Sequence, residues 1–195
     1  MTRNEFHEKP EESFSGRRDL DLISKDQAMP LVSIIVVNWN GLKHIDECLK
    51  SLLNQIYSNM EIILVDNCSE DGSVEFVRQN FSSVKIIMND GNMGFAAAMN
   101  RGIMSASGEL IASLNQNTVA EKNWLNKLVE VILSSEDIAG ASGKIYYLDN
   151  KDSIYCTWVK INPFTAIPYS FHGLEGSSSV DYLIGCAMVI RRDAI

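Results

Sequence analysis

The sequence predicts an α/β fold, a mainly parallel sheet with helices on both faces. Two observations carry this. Apolar runs of strand length, at 32–37, 61–65, 84–88 and 109–114, alternate with segments whose apolar residues recur every three or four positions. The first run, Val32-Ser33-Ile34-Ile35-Val36-Val37, is also nearly continuous in its apolarity, as in a strand covered on both faces. A β-α-β-α-β-α-β order with short connections makes parallel pairing the natural outcome.

Residues 1–29 are polar, charged and aperiodic and are expected to form a disordered tail, with Leu20, Leu22 and Ile23 able to dock on the domain. Pro30 marks the start of a domain over 30–195. Its first strand stops at Asn38-Trp39-Asn40-Gly41, and Leu42, Ile45, Leu49, Leu52, Leu53 and Ile56 follow at helical spacing. The second strand ends in Asp66-Asn67. A short helix after Asp71-Gly72 places Val74, Val77 and Phe81 on one face. The third strand leads into a turn-rich loop at 89–94. An alanine-rich helix over 95–105 then sets Phe95, Met99 and Ile103 four apart as core residues. After the fourth strand, Thr118 and Glu121 have the spacing of a capping box. The helix they open is expected to bury Trp124, Leu125, Leu128 and Ile132, with Val131 beside them. Residues 138–147 return to strand character, 149–152 form a turn, 154–161 a strand, 163–179 an irregular mobile loop, and 180–190 a last strand.

With 195 residues and 46% hydrophobic composition the chain can build one real core. Its net charge of −8 lacks the basic footprint of non-specific nucleic-acid binding. A nucleotide in a cleft is compatible with that charge, because helix N-termini hold phosphates through backbone N–H groups. Cys48, Cys68, Cys156 and Cys186 show no CxxC spacing, which argues against structural zinc and for reduced thiols. The N-terminus lacks the apolar centre of a signal peptide, and no run reaches the roughly 18 apolar residues of a membrane span. The expected location is the cytoplasm.

Ligands of open α/β sheets bind at the carboxyl ends of the strands, and two successive tips here carry Asn38 and Asp66. A carboxylate at a strand tip is a pure acceptor and suits N–H or O–H donors. Asp66 also reads as a turn residue or helix cap. No G-x-G-x-x-G follows the first strand, which argues against a dinucleotide-dependent oxidoreductase. His7, His44 and His172 form no metal-ligand pattern. His44 reads as a surface residue, His172 as a loop residue able to touch an acceptor, and Arg191-Arg192 as a solvated strand end.

In order and spacing, VSIIVVNWNG, ILVDNCSEDGS, NDGNMGFAAAMNRGI and LIASLNQNT followed by WLNKLV resemble the family 2 glycosyltransferases of GT-A fold, and among them the rhamnosyltransferase-like enzymes of polysaccharide assembly. The resemblance runs from Leu31 to about Arg192. It implies an inverting hexosyl transferase that moves a sugar from a UDP-, dTDP- or GDP-sugar to a saccharide or lipid-linked acceptor, the latter bringing peripheral association with the inner face of the membrane. It implies that Asn38, Trp39, Asn40 and Gly41 line the base and ribose pocket. Asp66, followed by Asn67 at the same tip, would meet the base or ribose. Asn92, Gly94, Phe95 and Asn100 would form a second nucleotide segment, with Gly94 opening a helix whose dipole faces the ligand.

The family carries a DxD-like motif whose last aspartate contacts a bridging Mg²⁺ or Mn²⁺. This chain has Asn115-Gln116-Asn117, with Asn117 at that position. Hard divalent cations prefer anionic oxygens. Three readings stand. Asn115 and Asn117 hold the metal weakly while the diphosphate supplies charge. They hydrogen-bond the sugar or diphosphate directly. Or the domain has lost metal and activity and is a non-catalytic nucleotide-sugar-binding module. The family's acidic general base lies past the position of Ile195, so the domain reads as lacking its C-terminal part. No residue, Asp181 included, is assigned as the base.

Overall fold

The computed structural model describes residues 29–156, 158–161, 165, 168–171 and 179–195. The expected tail over 1–28 with His7, and most of the 163–179 loop with His172, lie outside the described residues.

Four strands run parallel: β1 (Val32–Asn38), β2 (Met60–Asp66), β3 (Val84–Met88) and β4 (Leu110–Leu114). Between them lie α1 (Leu42–Leu53), α2 (Ser73–Asn80) and α3 (Phe95–Ser105). After β4 come α4 (Trp124–Leu133), β5 (Gly140–Ser142), and two hairpins, β6 (Ile145–Tyr147) with β7 (Asn150–Cys156) and β8 (Trp158–Ile161) with β9 (Pro168–Phe171). The last strand, β10 (Ala187–Arg191), enters the main sheet antiparallel between β4 and β5, giving the order β3-β2-β1-β4-β10-β5.

The apolar spacing of each helix decides its place. Ile45, Cys48, Leu49 and Leu52 of α1, Val74 and Val77 of α2, and Leu125, Leu128, Val129 and Ile132 of α4 are buried. All of these but Val74 pack on the sheet face built by Val32, Ile34, Val36, Ile62, Leu64, Leu110 and Ala112. The other face, with Ile35, Ile63, Val65 and Ile111, is covered by α3 through Ala98 and Met99. Gly102 lets α3 lie close: a Cβ there would stand 2.6 Å from Ile35 Cγ2.

Several expectations are corrected. Thr118 and Glu121 do not cap α4. The helix begins at Trp124 with Asn123 as N-cap, because 118–121 is tied to α1 and the turn after it: Ala120 N–H donates to Ser51 Oγ and Gln55 Nε2 to the Glu121 carbonyl. The strand expected over 138–147 divides between the main sheet and a hairpin, and that over 154–161 divides between two hairpins. The last strand is shorter than 180–190, since 183–186 turns over the end of β4, where Ser113 Oγ donates to the Gly185 carbonyl. Leu42, Leu53, Ile56 and Phe95 sit at helix ends and are exposed.

Arg191 and Arg192 are not a solvated end. The Arg191 guanidinium donates to the carbonyls of Ile132, Ser135 and Ile138, closing the C-terminus of α4, while Arg192 donates to those of Ile103 and Ala106 at the end of α3. Consecutive strand residues point to opposite faces, so the pair reaches one helix on each side of the sheet. The carbonyls of a helix's last turn otherwise lack partners, and a cation there also suits the dipole.

Candidate functional site

From β1 the chain proceeds to β2 and β3 on one side and later to β4 on the other. The gap between the carboxyl ends of β1 and β4 is therefore the topological switch point, where open α/β sheets bind ligands.

Beneath this edge lies a buried polar network. Asn38 and Asp66 are cross-strand partners, both 0% exposed. Asn38 Nδ2 lies 2.8 Å from Asp66 Oδ1, 3.1 Å from Ser69 Oγ and 2.9 Å from Ser73 Oγ. Ser69 returns two bonds to Asp66, its hydroxyl to Oδ1 at 2.6 Å and its N–H to Oδ2 at 2.9 Å. Asn38 Oδ1 is buried with no hydrogen-bond donor, beside Gly41, where a Cβ would come within 2.3 Å of it. Asp71 joins two helix starts: it accepts from Leu42 N–H at 2.7 Å and from the N–H and hydroxyl of Ser73 at 3.0 and 2.6 Å. Burial would raise its carboxyl, but these donors outweigh it and hold Asp71 below the ordinary carboxylate range.

The loops above are shaped by this network. Asn40 and Cys68 adopt left-handed backbone, φ 49° and 63°, a conformation non-glycine residues rarely take without support. Asn40 is held by Ser69 Oγ, which accepts from its N–H, and by Glu70 N–H, which donates to its Oδ1. At the β2 tip Asn67 is buried. Its Nδ2 donates to the Gly94 carbonyl at 3.2 Å, and its Oδ1 accepts from Asn89 Nδ2 at 2.7 Å. Asn89 in turn accepts from Arg101. Asn92 Oδ1 accepts from Gly94 N–H, and Gly94, with φ 79°, starts α3.

The site residues read from sequence thus fall into two groups. Asn38, Asp66 and Asn67 form the buried support: Asn38 and Asp66 face each other, and Asn67 turns to Gly94 and Asn89. Trp39 at 53% exposure, Phe95 at 49%, and the exposed Asn40, Asn92, Gly94, Asn100 and Asn117 lie at the surface of the same edge, with Asn115 half-buried. Asn100 and Asn117 make no side-chain hydrogen bond among the described residues, so their amides are free to meet a ligand.

Ser69, Ser73, Asp71 and Gln116 were not read as site residues. The first three sit in CSEDGS, where serine and aspartate after a strand announce a turn and a helix start, but not which strand they will serve. Gln116 spans the switch point: its Oε1 accepts from Trp39 N–H at 2.8 Å and its Nε2 donates to the Trp39 carbonyl at 3.1 Å. Cys48 below donates to the Asn115 carbonyl at 3.6 Å, and burial pushes its thiol up to about 12, so it stays protonated.

A model of Glycosyl transferase family 2 matches residues 33–195. The chain belongs to that family. It is 31% identical over 126 residues to an uncharacterized glycosyltransferase of Haemophilus influenzae, covering 63% of this chain and 39% of that protein. It is 32% identical over 133 residues to glycosyltransferase GlyG of Streptococcus pneumoniae, covering 66% and 44%. The chain therefore spans about two fifths of the length of these curated relatives. The mannosyltransferase PcManGT from Pyrobaculum calidifontis, solved in complex with GDP-Man and Mn²⁺, shares the fold at a TM-score of 0.62 and 19% identity, over 85% of this chain and 46% of that one. The fold of this family 2 chain is GT-A, with the polar switch-point edge on its carboxyl side.

The metal expected at Asn117 meets a donor set that does not suit it. Mg²⁺ and Mn²⁺ favour anionic oxygens. The tip of β4 offers three neutral amides, one of them, Gln116, already bonded to Trp39. Asp66 and Asp71 are engaged by serines and backbone N–H groups. Among the described residues no group of three His, Cys, Asp or Glu could hold a metal ion. Asp181, exposed, accepts from Ile161 N–H at 3.1 Å. Among the described residues no helix is long and apolar enough to cross a membrane.

Proposed function

We propose that residues 30–195 form the donor-binding part of an inverting, rhamnosyltransferase-like glycosyltransferase in polysaccharide or glycoconjugate synthesis. The donor is a UDP-, dTDP- or GDP-sugar and the acceptor a saccharide or a lipid-linked saccharide. The observation that carries this reading is the switch-point edge itself: a fully buried Asn38–Asp66 pair bracing loops that present an exposed indole and unpaired amides. In transfer, the acceptor hydroxyl attacks the anomeric carbon. The bond to the nucleoside diphosphate breaks with its electron pair leaving on the diphosphate, and the hydroxyl proton passes to a base. The described residues bind and orient the donor, with Asn100, Asn115 and Asn117 as hydrogen-bonding amides. No described residue is assigned as the base. Because the amide tip does not fit a hard cation, no step is routed through one. With a lipid-linked acceptor the protein would work at the cytoplasmic face of a membrane.

Calorimetry with UDP, dTDP and GDP, each with chelator and with Mn²⁺, tests the reading. Binding of one of the three is expected, and binding of none overturns it. A second reading, a donor-binding module without turnover, is favoured by Asn117. Donor binding without sugar transfer by the full-length protein would establish it.

A further inference from the structure

Gln116 occupies the centre of the amide tip, yet its side chain is bonded to the protein main chain. Its amide makes both hydrogen bonds that the Trp39 backbone has to offer, accepting from the N–H at 2.8 Å and donating to the carbonyl at 3.1 Å. This is the pattern a neighbouring strand would supply, delivered by a side chain just beyond the last residue of β4. The surroundings are shaped to allow it. A Cβ on Gly41 would come within 2.6 Å of Gln116 Oε1 and 2.3 Å of Asn38 Oδ1, so glycine at 41 leaves room for both amides. The residue before Trp39 is locked inward at 0% exposure, and the residue after it is held left-handed by Ser69 and Glu70. Among the described residues Trp39 has no other hydrogen-bond partner, and it is 53% exposed.

We propose that Gln116 is a positioning residue of the donor site: its bidentate amide clamps the Trp39 backbone across the gap between β1 and β4 and so fixes the indole at the mouth of the crevice. The proposal rests on the donor-site reading above. It also gives the amide a chemical reason. One side chain must accept and donate at once, which a neutral amide does and a carboxylate does not. Glutamate at this position is the same size but would set an anion against the Trp39 carbonyl. Protonated, it regains a donor.

The test compares wild type, Q116E and Q116M for binding of whichever of UDP, dTDP or GDP the wild type binds, by calorimetry from pH 8 to pH 4. Thermal unfolding of each variant is followed alongside. Q116E is expected to bind on the order of tenfold more weakly than wild type at pH 8, the cost of one lost bond and an unfavourable carbonyl contact. The ratio should shrink as pH falls toward the ordinary glutamate value near 4 and acid returns the proton. Q116M, which can make neither bond, should bind weakly at every pH. A merely structural role would weaken both variants without that pH profile. A Q116E-to-wild-type ratio that stays flat from pH 8 to pH 4, or a Q116M that binds like wild type, overturns the proposal. If wild type binds none of the three nucleotides, it is the donor-site reading that has failed.

Discussion

The two edges of the parallel sheet use polar groups to opposite ends. At the amino edge, charged side chains finish on main-chain groups of the same fold. Arg191 and Arg192 close the ends of α4 and α3, and Glu61 accepts from Ser33 Oγ at 2.5 Å and Ser107 N–H at 2.6 Å. Burial would raise the Glu61 carboxyl, but these hydrogen bonds and Lys85 prevail and hold it below the ordinary range. At the carboxyl edge the polar groups form two storeys. A buried one is satisfied apart from Asn38 Oδ1. The upper one leaves Asn100 and Asn117 without a side-chain partner among the described residues. A cavity of about 370 Å³ opens at the amino edge, lined by Pro30, Glu109, Leu133 and Arg191. Its arginines already serve helix ends, so volume alone is a poor guide to the site. The amino edge builds stability, and the carboxyl edge holds donors and acceptors in place for something else.

Substitutions can break that division. Asn38→Asp should have the largest effect. It sets a second carboxylate against Asp66 in a fully buried pair, and an uncompensated buried charge costs about 3–5 kcal/mol. Urea unfolding at pH 8 should show that loss, and at pH 5 the deficit should shrink as the pair takes up one shared proton. Equal deficits at both pH values would contradict the buried-pair geometry. Arg191→Met comes next. Losing charged bonds to three carbonyls should cost about 2–3 kcal/mol of stability while nucleotide affinity stays at the wild-type value. An affinity change would show that the two edges are not separate.

Asp71→Ala should cost about 1–2 kcal/mol at pH 7, the usual worth of a helix N-cap, here shared between two helices. The sign with pH follows from the depressed carboxyl. Its contribution is full above the ordinary aspartate value near 4 and is lost as pH falls through the lower folded value. The gap between wild type and variant should therefore close as pH falls below about 4, and a constant gap would count against the cap. The smallest effect on stability belongs to Asn100→Ala and Asn117→Ala, within about 0.5 kcal/mol for exposed side chains. Nucleotide titration should nonetheless show weaker binding by at least one of them. Wild-type affinity in both would move the ligand elsewhere on the edge.

Much of the first half of the fold is legible in the chain, because strand and helix periods there are carried by residues that do become core, such as Ile34, Leu49, Leu64 and Val77. The second half is less so. Thr118 and Glu121 have local capping chemistry, but hydrogen bonds to Ser51 and from Gln55, far away in sequence, decide the path of that segment. Arg191 and Arg192 look like surface charges until the two helices they close are in place. At the site the strand tips could be read from sequence. The roles could not, since whether Asn38 or Asp66 faces a ligand or its neighbour depends on pairing between β1 and β2.

The insertion of β10 has a consequence for the order of assembly. Among the described residues β5 pairs only with β10, so during synthesis it emerges well before its partner exists. β1 to β4 can close as each arrives, whereas β5, β10 and the ends of α3 and α4 must wait for residues 187–192, and such distant pairing is slow. The adjacent arginines then act as a key for that late step. A slip of β10 by a single residue would turn each guanidinium to the wrong side of the sheet, leaving both helix ends open and the misaligned chain easy to reject.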